Sequence, residues 1–285
     1  MFRLLNVSGR AALEVDGAWF DLARLSGDDA LADPMAAVAR HGELHELTAR
    51  CAAATPDGPV VGTVLGPPVS RPRQVFGIGL NYRDHADEAG MELPPAPLTF
   101  TKFPSSITGP TDDIPLTGDL DDWEVEIVAV VGRACRHVPV ASAWDMLAGL
   151  TLGQDVSDRG VQFTGSPPQF SLGKSFPGFA PIGPALVSLD GLADPTDIGL
   201  WCDVSGERMQ ESRTTHLIFS IPTLVAYLSS ICPLEPGDLI FTGTPDGVGM
   251  ARGRFLREGD VVASGAEGIG ELRNVCVPGT GAMVP

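Results

Sequence analysis

The sequence predicts an α+β fold that is mainly β, with a small leading unit and a larger β-rich domain. Three observations carry this. From Gln74 onward, short apolar runs alternate with glycine and proline turns. Stretches with helical periodicity are few. Turn signals placed just before apolar strands, Pro236-Gly-Asp before Leu239-Ile-Phe-Thr and Glu258-Gly-Asp before Val261-Val, favour antiparallel or mixed sheets over a doubly wound parallel one.

Taken in order, residues 1–68 read as a small α+β domain. It has strands around Leu4 and Ala11–Val15, a turn at Asp16-Gly17, a strand through Trp19-Phe20 and a helix from Pro34 to Cys51. His41 and His45 lie one helical turn apart beside Glu43 and Glu46, and the preferred reading is a solvated helix face. Turn formers in Thr55-Pro-Asp-Gly-Pro and Gly66-Pro-Pro-Val-Ser-Arg-Pro mark the junction, and a second domain spans 72–278. Asn81 is placed to N-cap a short helix that starts at Tyr82 and closes at Gly90; the prolines after Met91 stop it from continuing. Ile127–Val131 reads as a strand buried on both faces. Helices are expected over 140–150 and 222–230, the latter opened by Ser220 and Pro222.

The 285 residues, 44% hydrophobic, suffice for a substantial core. A formal charge of -17, from 19 basic and 36 acidic side chains, argues against nucleic acid or an anionic membrane as partner. The same field repels small anions, so a carboxylate substrate needs local positive charge. Five scattered cysteines without a Cys-x-x-Cys arrangement fit a reducing cytoplasm, and neither a signal-type apolar segment nor a membrane-spanning run is evident.

The chemistry concentrates in three acids. Glu124 and Glu126, two apart at the head of the apolar strand, face one side of it, and Asp155 follows in Gly153-Gln-Asp-Val-Ser. Carboxylates sharing a partly dry space repel, and a divalent cation relieves the repulsion. Oxygen-only ligation suits magnesium first, with manganese or calcium as alternatives. The competing reading is a solvated strand face, against which the buried run that follows speaks.

Other candidates surround them. His85 and Glu88 are helix neighbours, either a carboxylate-held base or a surface histidine beside an incidental glutamate. Lys102 and Lys174 lie in apolar settings where a lysine needs an anion or must reach solvent with its tip. Arg159 and Gln162 follow Asp155 by four and seven residues, as substrate ligands or surface groups. Thr242-Gly-Thr244-Pro-Asp-Gly-Val-Gly lacks the ending of a phosphate loop; its backbone amides and the Thr244 hydroxyl suit a carboxylate or an oxyanion. Gly77-Ile-Gly79 reads as a strand end beside the pocket, without dinucleotide spacing.

The ordered series from Gly77-Ile-Gly-Leu-Asn-Tyr-Arg-Asp-His85 through Phe100-Thr-Lys102-Phe-Pro-Ser-Ser, Glu124-Val-Glu126, Gln154-Asp155-Val-Ser-Asp-Arg159 and Gly173-Lys174-Ser-Phe-Pro-Gly to Phe241-Thr-Gly-Thr244-Pro-Asp-Gly resembles the fumarylacetoacetate hydrolase family, from about Pro72 to about Val277. The resemblance implies a β-roll or compressed mixed β-sandwich with peripheral helices, assembled as a homodimer. It implies a metal held by Glu124, Glu126 and Asp155, and a His85–Glu88 pair on a mobile helical lid that activates water. Lys174, with Lys102 in support, would serve the acids or the substrate oxygens. The implied reaction is hydrolysis of a carbon-carbon bond in a small 2-oxo acid or 1,3-dicarbonyl, such as an acylpyruvate, fumarylpyruvate or a 2,4-dioxo-3-deoxy sugar acid. Decarboxylation, isomerisation or dehydration of 2-oxo acids in aromatic catabolism uses the same electron sink, and a silent metabolite-binding protein is a third reading. Gly160, where relatives commonly carry an acid, and Gly165–Phe170, without the Gln-Trp pair of some sugar-acid hydrolases, depart from the pattern on the substrate side.

Overall fold

Strands dominate because most apolar runs here are too short for a stable helix and are punctuated by glycine and proline. The computed structural model describes residues 1–88, 90 and 92–279. Its largest sheet runs, edge to edge, through Gly58–Pro59, Ala18–Asp21, Arg10–Val15, Arg3–Val7, Ala180–Val187, Leu147–Gln154, Val125–Val131, Leu239–Phe241, Val75–Gly79 and Leu98–Thr101. A second sheet orders Glu207–Arg213, Gly199–Val204, Val261–Ala266, Gly270–Pro278 and Ile114–Leu116. Pairing is mostly antiparallel, with parallel exceptions such as Leu239–Phe241 beside Val75–Gly79. Neither sheet closes on itself, so the fold is α+β, mainly β, as expected.

Val125–Val131 organises the interior. All seven residues are buried, and alternation sends Val125, Ile127, Ala129 and Val131 into one apolar cluster while Val128 and Val130 enter another on the opposite face. Each buried valine or isoleucine here contributes about 1.5–3 kcal/mol through burial. Glu126 shares the parity of Val128, so the acids project from the head of a strand that the core clamps from both sides.

The leading strands appear where the pattern places them, and Arg3–Val7 joins the large sheet by pairing with Ala180–Val187. The helix expected over 34–51 is two helices, Pro34–Ala39 and His41–Arg50, broken at Arg40. His41 and His45 turn to different partners: His45 packs edge-on to Phe2 and pairs with Asp190, while His41 Nδ1 meets the Val38 carbonyl. Ile221–Ile231 is helical, close to expectation.

The helix expected over 140–150 is absent. Two short 3-10 turns, Val140–Ser142 and Trp144–Met146, lead into the strand Leu147–Gln154, buried along its whole length between Val125–Val131 and Ala180–Val187. A strand covered on both faces is apolar at every position, so it carries no alternation to set it apart from a buried helix. This correction matters, because the strand delivers Asp155.

Candidate active site

Adjacent strands assemble the acids. Glu126 pairs with Gly153 across the ladder, Val125 with Gln154, and the Asp155 N–H donates to the Glu124 carbonyl at 2.8 Å. Glu124, Glu126 and Asp155, all buried, each offer a carboxylate oxygen within 4.8 Å of the others.

Buried cations answer two of the three. Lys174 Nζ donates to Glu124 Oε2 at 2.7 Å and to Asp155 Oδ2 at 2.6 Å. Lys102 Nζ donates to Asp155 Oδ1 at 2.6 Å and also meets the Lys174 carbonyl. Arg159 Nη2 donates to Glu124 Oε1 at 2.6 Å. Burial opposes ionisation of Glu124, but Lys174 and Arg159 outweigh it and bring its pKa down to about 2. Among the described residues Glu126 has no such cation in contact, and its Oε2 accepts only the Gly243 N–H, at 2.6 Å; burial with Asp155 and Glu124 nearby pushes its pKa well above the usual carboxylate range. Gly243 is held at φ +102, and a Cβ there would lie 2.7 Å from that of Asn81, which explains the glycine.

This donor set fits a hard divalent cation. Three carboxylates converge, one of them lacks a counter-charge, and the buried Tyr82 hydroxyl beside them has no partner among the described residues. Burial and the Glu126 charge raise the Tyr82 pKa, which keeps the phenol protonated and able to donate.

His85 lies on the helix Arg83–Glu88, with Nδ1 3.3 Å from Glu88 Oε2 and the two side chains 19% and 24% exposed. Glu88 also accepts the Gly247 N–H at 3.1 Å, and Asp84 meets His216 Nδ1 at 3.0 Å, so the helix is fastened at two points. It starts at Arg83 rather than Tyr82, and Asn81 is not its cap. The Asn81 amide instead donates to the Thr242 and Phe219 carbonyls while accepting the Phe219 N–H. Ala89, inside the expected lid, and Met91 lie outside the described residues.

A fumarylacetoacetate (FAA) hydrolase C-terminal family model matches residues 74–277, which include every one of these groups. The chain belongs to the fumarylacetoacetate hydrolase family. It is similar to a Dictyostelium discoideum fumarylacetoacetate hydrolase domain-containing protein 2 homolog, 43% identical over 216 residues, 71% of each chain. Among solved structures, a Mycobacterium smegmatis protein provisionally described as HpcE is 45% identical with a TM-score of 0.89, over 97% of this chain and 99% of that one. A maleylpyruvate hydrolase from Sphingobium, in complex with manganese(II) and pyruvate, is 25% identical with a TM-score of 0.82, over 98% and 100%.

Within this family member, two expected roles change. The Thr244 hydroxyl is already spent: it donates to the Val125 carbonyl at 3.0 Å and accepts from Gln210 Nε2 at 2.8 Å, so it has no proton for an oxyanion. Arg159 is drawn inward, its Nε on Asp122 at 2.8 Å and its Nη1 on Gln162 Oε1 at 2.9 Å, so the guanidinium chiefly orients Glu124. Gln162 keeps its amide nitrogen without a partner among the described residues.

Sequence reading missed the supports. Asp122 accepts from Arg159 and from the N–H groups of Trp123, Gly249 and Met250. Gln154 accepts the Glu124 N–H and donates to Ser264, and Gln210 accepts the Val125 N–H. The only signal was the Asp121-Asp122 doublet before Trp123; the glutamines are ordinary in sequence, and their partners lie far away along the chain.

Proposed function

We propose that the protein is a divalent-metal-dependent hydrolase cleaving a carbon-carbon bond in a small 2-oxo acid or 1,3-dicarbonyl. Acylpyruvates, fumarylpyruvate and 2,4-dioxo-3-deoxy sugar acids form the substrate class. The carrying observation is the buried trio Glu124, Glu126 and Asp155 with one carboxylate left without a cation. The manganese(II) and pyruvate in the maleylpyruvate hydrolase relative support the same class.

Glu124, Glu126 and Asp155 would hold magnesium, with manganese or calcium as alternatives. When bound, the ion supplies Lewis-acid stabilisation of negative charge on the departing 2-oxo acid. Glu88 faces His85 Nδ1, which leaves Nε2 to take a proton from water as the water oxygen attacks the distal carbonyl. Lys174 spends two donors on Glu124 and Asp155; its third, with the Thr244 backbone N–H, serves the developing oxyanion. The carbon-carbon bond then breaks, the acyl half leaves as a carboxylic acid, and the enolate half is protonated at carbon by the proton His85 took from water. Gln162 offers its amide to the substrate.

The test supplies an acylpyruvate and an oxaloacetate-like acid with magnesium or manganese and measures released carboxylic acid against released carbon dioxide. Acid release that stops on chelation is expected. Carbon dioxide as the main product would make the protein a decarboxylase, and turnover insensitive to chelation would remove the metal from the reaction.

A further inference from the structure

The strand Leu98–Thr101 grades from charge to oil. Side chains two apart share a face, and the ladder continues through the Lys102 N–H, which donates to the Val75 carbonyl at 3.0 Å. Lys102 therefore sits at the inner end against Asp155, Phe100 comes next at 9% exposure, and Leu98 is outermost at 47%. The Phe100 ring lies 4.9 Å from Lys174 Nζ, which places it at the wall of the acidic site. Gly77 stands opposite Phe100, and a Cβ there would come within 2.2 Å of the ring, so the glycine makes the room in which that ring lies.

The apolar wall extends outward. Phe170 meets Phe100 edge-on at 5.9 Å and Phe163 at 6.0 Å. Phe163 directly follows Gln162 and is 44% exposed. No lysine or arginine occurs in 92–101 or in 160–173, the segments that build this wall. Lys102, Lys174 and Arg159, the cations beside it, already face acids.

We infer that this wall is the seat of the substrate's acyl group, and that the acyl group is apolar, an alkyl or aryl chain, rather than one ending in a second carboxylate. The inference rests on the 2-oxo acid reading above. A distal carboxylate would be placed against three phenylalanine rings with no counter-charge, whereas each methylene laid on them strengthens binding by roughly fourfold.

Calorimetry with the magnesium-loaded protein tests this through N-substituted oxamates, which keep the 2-oxo acid head and vary the tail. N-hexyl oxamate should bind at least about tenfold more tightly than N-methyl oxamate, and more tightly than an oxamate whose hexyl tail ends in a carboxylate. Phe163→Ser, at a half-exposed position, should erase the ratio of hexyl to methyl affinity; Leu98→Ser should reduce it in part. Equal affinity for all tails, no binding by any, or preference for the carboxylate tail overturns the inference. In parallel, acetylpyruvate and a long-chain acylpyruvate are offered as substrates. Tail-dependent binding without turnover of either would sink the hydrolase reading and leave the apolar seat standing, while turnover of both at equal kcat/KM with tail-independent binding would do the reverse.

Discussion

Glu126 differs from Glu124 and Asp155 in one respect: among the described residues no lysine or arginine bonds to it. A buried carboxylate in that position destabilises the metal-free fold and gives a cation its strongest reason to bind. Glu126→Gln should therefore raise the thermal midpoint of the metal-free protein and abolish the further rise that magnesium or manganese produces. A variant that still gains stability from the metal would remove Glu126 from the ligand set. Asp155→Asn is expected to lose turnover as well, at a cost in stability, because Lys102 would lose its anion and Lys174 one of its two while buried; full activity in circular-dichroism-verified folded protein would refute the site. At His85 the effect is confined to chemistry. His85→Ala should slow hydrolysis by roughly 10²–10⁴-fold with metal affinity preserved, as removal of a positioned general base does. Hydrolysis at the parental rate would move water activation elsewhere, and surviving decarboxylation would point to a reaction that needs no activated water.

Among the elements, the helix Arg83–Glu88 carries both His85 and Glu88. It is six residues long, and among the described residues Glu88 meets the Gly247 N–H and Asp84 meets His216. We propose that it acts as a lid that tightens over a bound 2-oxo acid. Hydrogen exchange across residues 81 to 88 should slow when oxalate is added with magnesium and change little with magnesium alone; identical protection in both would show a fixed cover. The strands behave in the opposite way. Val125–Val131 is clamped on both faces, so Ile127→Val should cost about 0.5–1.5 kcal/mol in denaturant unfolding, a local loss without effect on the ligand geometry. The element that resisted sequence reading was Leu147–Gln154, because burial on both faces erases the two-residue alternation and the apolar and small residues from Leu147 to Gly153 suit either structure.

For the whole molecule, the charge of -17 sets how anions arrive. Its field opposes their approach, and the buried Lys102, Lys174 and Arg159 are already balanced by acids. Raising salt from about 20 to about 200 mM should consequently increase kcat/KM for an anionic substrate by screening that repulsion. A decrease would mean that local positive charge governs capture. The sequence by itself determined the mainly β class, the leading strands, the doubly buried strand and the acids Glu124, Glu126 and Asp155, because these follow from spacing along one chain segment and from an ordered set of motifs. It also brought His85 and Glu88 together, since three residues on a helix are neighbours by geometry. Only the tertiary structure decided that Arg159 turns inward to Asp122 and Glu124, that the Thr244 hydroxyl is consumed by Val125 and Gln210, that Asn81 ties Phe219 to Thr242, and that Phe163 and Phe170 join Phe100 at the wall of the site. Each of those outcomes is a competition for one donor, one acceptor or one patch of apolar surface among partners as much as 161 residues apart, and no local pattern records which partner wins.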